Sequence, residues 1–170
     1  MNNLLTTKAK NALQTELTAK GLPLRFLPFL LAQISHETGG FKSNLSLLNN
    51  LSGIIFVGQK GAIDSGISQP KKETSKFGKW NYAAYKTIED WAADYISILA
   101  KHKVFDAKNL EEFVNKLKEA RYFTAPTEEY FTALKKWTNQ LKKIFPDMET
   151  VTISGAVIIV IALLFLYFYK

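Results

Sequence analysis

The chain has 170 residues, a formal charge of +7 and no cysteine. That length holds one domain plus an appendage. The missing cysteines exclude a disulfide-stapled scaffold and thiol chemistry. The basic balance fits an anionic partner, but the lysines are scattered, and no cluster interleaved with aromatics marks a nucleic-acid groove.

Residues 4–20 predict an amphipathic helix with Leu5, Ala9, Ala12, Leu13 and Leu17 on one face, ended by Gly21 and Pro23. A more apolar helix over about 26–37 carries Leu27, Phe29, Leu30, Leu31, Ala32 and Ile34, and its composition predicts burial. It ends on Ser35-His36-Glu37-Thr38-Gly39-Gly40-Phe41, where the glycines allow a left-handed exit. Glu37 therefore sits at the negative end of a helix dipole, a place that favours a protonated carboxyl group. The stretch from Lys42 to Leu51 reads as a further short helix leading into Ser52-Gly53.

Ile54 to Val57 is β-prone, and Gly58 to Ser75 reads as a loop rich in Gly, Ser, Pro and Lys. Phe77 to Tyr85, with Trp80, Tyr82 and Tyr85, reads as the returning strand of a small β-lobe. Thr87 with Asp90 forms a capping box, and Ile88, Trp91, Ala92, Tyr95, Ile98 and Leu99 form the stripe that follows. Asn109 with Glu112 repeats the device before Leu110, Phe113, Val114 and Leu117. A last helix starts at Thr127, with the stripe Tyr130, Leu134, Trp137, Leu141 and Ile144, and stops at Pro146. The fold class read from these elements is mainly α, a helical domain with a small β-lobe over residues 1–146.

Residues 147–150 read as a short linker. Residues 151–169 carry no charge and precede Lys170; as a helix they span about 28 Å, the thickness of a bilayer core. Tyr167 and Tyr169 suit the interfacial belt. One transmembrane helix is expected there, with a lipid membrane as partner. The N-terminus has neither a basic n-region nor an apolar h-region, so no signal peptide is expected. Lys135, Lys136, Lys142 and Lys143 before the span place the domain on the cytoplasmic side by the positive-inside rule.

His36 and His102 lie far apart without a ligand pattern, so no metal or other cofactor is expected. No phosphate loop or nucleophile elbow occurs. Acid/base chemistry by carboxylates is the enzyme class left.

Three segments then resemble glycoside hydrolase family 73, the glucosaminidase-type peptidoglycan hydrolases of the lysozyme superfamily. Glu37-Thr38-Gly39-Gly40-Phe41-Lys42-Ser43 with Asn49-Asn50-Leu51-Ser52-Gly53-Ile54 is similar to E-S-G-W-G-K-S … N-N-L-F-G-I. The run from Tyr85 to Tyr95 resembles the family's Y-x-S-x-x-E-S-x-x-D-Y, and Tyr122-Phe123-Thr124-Ala125-Pro126 resembles Y-A-T-D-P, with Tyr130 beyond. The chain departs from the pattern at Phe41, Trp91 and Ala125. The resemblance covers roughly residues 28–145 and implies a lysozyme-like α+β fold and cleavage of β-1,4 bonds in bacterial peptidoglycan.

Glu37 is implied as the general acid and Tyr122 as a cleft residue beside it. Asp64 and Glu73 are the acidic residues the β-lobe offers as a second carboxylate. Asn50, Gly53, Phe41, Trp80, Tyr82, Tyr85 and Tyr130 are expected to contact substrate. A muramidase or a single-acid lytic transglycosylase stays open, as does a non-catalytic glycan-binding or virion assembly module. The setting expected is a membrane-containing bacteriophage, with lysis during entry or exit, or the bacterial inner membrane.

Overall fold

The computed structural model describes residues 3–68 and 81–146. Helix α1 (Asn3–Ala19) buries Ala9, Ala12, Leu13 and Leu17, as its periodicity predicts. A 3-10 turn at Leu24–Phe26 leads directly into α2 (Leu27–Glu37), in which Leu27 and every residue from Leu30 to Ser35 are buried. The short segment expected to be helical after Lys42 is a 3-10 helix at Asn44–Leu48, opened by Ser43, whose Oγ accepts from Leu45 N–H.

The β-lobe differs most from the sequence reading. Its strands are β1 (Ala62–Ser68) and β2 (Asn81–Tyr85), paired antiparallel with a bulge between Asp64 and Ser68. Thus β1 falls in the Gly- and Ser-containing stretch read as loop. Ile54–Val57 contributes one bridge, Ile55 to Tyr82, with Phe56 N–H on Asn81 O and Ala83 N–H on Ile54 O. β-propensity loses here to tertiary pairing.

Helix α3 (Ile88–Lys101) begins with the expected Thr87–Asp90 capping box. Its buried stripe contains Ile96, whereas Ile98 is only partly buried and faces a cleft. At α4 (Leu110–Glu119) the Asn109 side chain accepts from Glu112 N–H, but the Glu112 carboxylate reaches back to Lys108 N–H, so no reciprocal box closes on Asn109. In α5 (Thr127–Ile144), Thr138 is buried and Ile144 is exposed, the reverse of the expected stripe at those two places.

The apolar core unites faces of all five helices. Helix α2 packs on α5 and α1 on α3. Phe26 packs edge-on to Phe105 at 5.1 Å between ring centroids. Trp91 and Tyr95 stack at 5.3 Å. The buried α2 thereby becomes a rigid post whose C-terminal end is brought to the surface beside the β-lobe.

Among the described residues no helix is long and apolar enough to cross a membrane. The linker 147–150, the expected span 151–169, Glu73 and Trp80 lie outside the described residues.

Candidate active site

A cleft of about 480 Å³ opens where α2, the 51–55 loop, β2 and the end of α4 converge. Glu37, Leu45, Ser52, Gly53, Ile54, Ile55, Tyr82, Ile98, Arg121 and Tyr122 line it. Glu37 is the one carboxylate among these residues.

The end of α2 shapes the acid's position. Gly40 N–H donates to Ser35 O at 2.7 Å and Gly39 N–H to His36 O at 3.3 Å, with Gly39 at φ +57. This is a Schellman closure with glycine in its left-handed position. Thr38 is buried and clamps the turn: its Oγ1 donates to Ile34 O at 2.6 Å and accepts from Phe41 N–H at 2.9 Å. Glu37, the last helical residue, is exposed toward the cleft.

Its carboxyl group is nevertheless crowded by protein, and burial raises its pKa above 4.5. A hydrogen bond from Tyr130 and the nearby His36 ring oppose that rise. The Tyr130 hydroxyl donates to Glu37 Oε1 at 2.7 Å. Phe123 stacks on the Tyr130 ring at 3.8 Å and His36 meets it edge-on at 5.0 Å, so the ring is held on two sides. With Oε1 engaged by Tyr130, Oε2 is the oxygen left to carry a proton toward a ligand.

Behind Tyr130 lies a buried polar pair that sequence reading missed. The Tyr95 hydroxyl donates to Gln33 Oε1, while Gln33 Nε2 is buried short of a hydrogen-bond partner. Burial, then the Glu37 carboxylate, push the Tyr130 hydroxyl far above its ordinary pKa, and the facing Gln33 side chain pulls it partly back. Gln33 precedes Glu37 by four residues, a spacing that puts both on one helix face. Tyr95 gave no such signal, because it is one aromatic in an apolar stripe.

Tyr122 lines the cleft with Glu37, as expected, and its hydroxyl donates to Ser52 O at 2.8 Å. Burial, with the Glu37 charge second, raises its pKa well above the usual tyrosine range. Ser52 is a junction, since its Oγ also accepts from Trp91 Nε1 at 2.9 Å. Gly53, at φ +67, and Tyr82 form the β-lobe wall, and a Cβ added at Gly53 would meet the Tyr82 ring at 4.0 Å.

Other expected contact residues lie elsewhere. Asn50 is fully buried; its Nδ2 donates to Ile54 O and Ala83 O at 2.8 Å each, and its Oδ1 accepts from Ile54 N–H at 2.9 Å. It builds the cleft floor and has no polar atom free for a sugar. Phe41 is 3 % exposed and sits in the core, correcting its expected substrate role. Tyr85 is 4 % exposed, and its hydroxyl donates to Asp94 at 2.6 Å, which again places it in the core. Tyr130 is also buried and acts on Glu37, not on the open cleft.

Asp64 stands exposed on β1, accepting from Gly66 N–H at 2.8 Å and Asn81 Nδ2 at 3.1 Å, and it is not among the lining residues. Arg121 is a lining residue that sequence reading did not single out. Among the described residues no three His, Asp or Glu side chains gather as metal ligands would.

Residues 12–149 match the family model of glucosaminidase, described as mannosyl-glycoprotein endo-β-N-acetylglucosaminidase. The chain belongs to the glucosaminidase family. This glucosaminidase is accordingly an endo-β-N-acetylglucosaminidase-like glycosidase.

Its fold is that of two solved proteins. One is a peptidoglycan hydrolase from Sphingomonas sp. A1, with TM-score 0.63 and 21% identity over 86% of this chain and 97% of that one. The other is the glycoside hydrolase domain of FlgJ from Salmonella typhimurium, with TM-score 0.61 and 19% identity over 92% and 98% of the two chains. The mainly helical, lysozyme-like fold with a two-stranded sheet is thus shared. Among curated proteins none matches the glucosaminidase in sequence.

Proposed function

We propose that the protein cleaves β-1,4 glycosidic bonds of bacterial peptidoglycan with Glu37 as the general acid. One observation carries the reading: a carboxyl group with a raised pKa opens on a cleft, one oxygen held by Tyr130 and the other free. A strand seated between the β-lobe and Tyr122 brings a glycosidic oxygen to Oε2. Glu37 donates its proton there as the C–O bond breaks and positive charge develops on the sugar. The resulting carboxylate then serves as base for the incoming nucleophile. Family membership and the FlgJ glycoside hydrolase domain support the glycosidase class, and the name of the Sphingomonas peptidoglycan hydrolase supports peptidoglycan as substrate.

Glu37 being the one carboxylate among the described lining residues favours a second form of the reaction. In it the sugar's own 6-hydroxyl attacks the cation, Glu37 takes up its proton, and a 1,6-anhydro product leaves. Mass spectrometry of digested peptidoglycan separates the forms. A reducing N-acetylglucosamine end supports hydrolysis as a glucosaminidase, a reducing muramic end a muramidase, and a 1,6-anhydro end the transglycosylase. An undigested wall contradicts all three and returns the protein to a glycan-binding or assembly role.

The uncharged stretch 151–169 supports anchoring of the domain at a membrane, and local wall lysis during phage entry or exit is the setting proposed. Protease protection in virions and in bacterial membranes tests both. A domain shielded on the cytoplasmic side of an ordinary cell contradicts this setting.

A further inference from the structure

Arg121 occupies a backbone position that disfavours it. At the end of α4, Tyr122 N–H donates to Leu117 O and Arg121 N–H to Lys118 O, both at 2.9 Å, with Arg121 at φ +57. This is again the Schellman closure, whose left-handed position glycine fills without strain. Arginine there crowds its Cβ against the backbone. Lys103 takes the same left-handed conformation after α3, at φ +56, but it does not line the cleft.

Arg121 does line it, with Glu37 and Tyr122. Among the described residues its guanidinium makes no ion pair, and it is the one cation of the lining. A strained cation without an ion pair, in a cleft whose lining is apolar and hydroxyl-bearing apart from Glu37, calls for an anionic ligand. Arginine presents a planar fork that matches a carboxylate through two parallel N–H···O bonds.

We propose that Arg121 is a specificity residue that binds a carboxylate carried by the glycan strand while Glu37 acts on the neighbouring bond. The assignment rests on the reading of the cleft as the glycan site. Peptidoglycan offers such a group from two sources, the lactyl carboxylate of a muramic sugar without peptide and the acids of the peptide on a sugar that carries one. An uncharged chitin-type strand offers neither.

The test is the affinity of the full chain for defined fragments, measured by calorimetry for wild type, Arg121→Gly and Lys103→Gly. The ligands are a peptide-free fragment with a free lactyl carboxylate, a peptide-bearing fragment, and both with their acids amidated. Arg121→Gly is expected to fold at least as well as wild type, its Tm rising about 2–4 °C as the strain is relieved. It is expected to lose about tenfold in affinity for an acid fragment and nothing for the amidated forms. Loss on the peptide-free fragment assigns the lactyl carboxylate, and loss confined to the peptide-bearing one assigns the peptide.

Lys103→Gly is expected to gain stability similarly and to bind every fragment as wild type does. Equal binding of acid and amidated fragments by wild type, or equal loss on both by Arg121→Gly, overturns the proposal. Hydrolysis is not needed for this readout, so an inert Glu37 and a mistaken Arg121 remain separate results.

Discussion

The α2 and α4 helices end in the same backbone device at one cleft, yet they fill it differently. After α2 the left-handed position is Gly39, and the turn delivers Glu37 without strain. After α4 it is Arg121, and the turn delivers Tyr122 with strain. The first end is built for precise placement of an acid. The second accepts a backbone penalty and gains a cation facing the same space, which is the pattern expected where binding, not stability, selects the residue.

Loosening the cleft floor that both helix ends face is the harshest way to break the comparison. Asn50 closes the 50–54 loop through two buried hydrogen bonds with Ile54 and ties it to β2 through a third, to Ala83 O. Asn50→Ala is expected to destabilise the domain by about 2–4 kcal/mol, since several buried partners lose their bonds at once. Chemical denaturation measures it, and a loss below about 1 kcal/mol contradicts the role of Asn50 as the floor's staple.

Tyr130→Phe acts on the α2 wall alone. Its hydroxyl bonds to the charged form of Glu37 and lowers that pKa, so removal lets burial raise it further. The alkaline limb of the pH–rate profile is expected to move to higher pH, and the rate to fall about tenfold as Oε1 becomes free to rotate. A limb that moves to lower pH, or stays, refutes the assignment.

Swapping the two caps sharpens the contrast. Gly39→Ala is expected to cost about 1 kcal/mol and Arg121→Gly to stabilise by a similar amount. Thermal unfolding of both variants checks the opposite signs.

The smallest effect concerns the pH dependence of stability. A carboxyl group with a raised folded pKa favours the native state while protonated, and that contribution disappears as pH rises through the folded value. Glu37→Gln should therefore be slightly more stable than wild type at neutral pH, with the gap closing as pH falls toward 4.5 and below. A gap that widens on acidification contradicts the upward shift.

Local chemistry made part of this legible in the sequence. The Thr87–Asp90 box and the Glu37-Thr38-Gly39-Gly40 helix end are spacings within a few residues, and the structure keeps both. What sequence could not show depends on partners far along the chain. β1 carries Asp64, Ser65 and Gly66, poor strand formers that are extended because β2 pairs with them. Phe41 and Tyr85 read as substrate contacts but fill the core, because an aromatic's type does not say which side of a wall it faces. Tyr95 reaches Gln33 across 62 positions of sequence. Arg121 was hidden for another reason, since nothing in its neighbours announces a left-handed arginine.

The account rests on Glu37 as the proton donor, and one paired measurement tests that directly. Release of new glycan ends from purified peptidoglycan is followed for wild type and Glu37→Gln, both checked for an intact fold by circular dichroism. Loss of a general acid predicts a rate lower by about 10²–10⁴-fold in the variant. A variant that cleaves as fast as wild type would contradict the central claim.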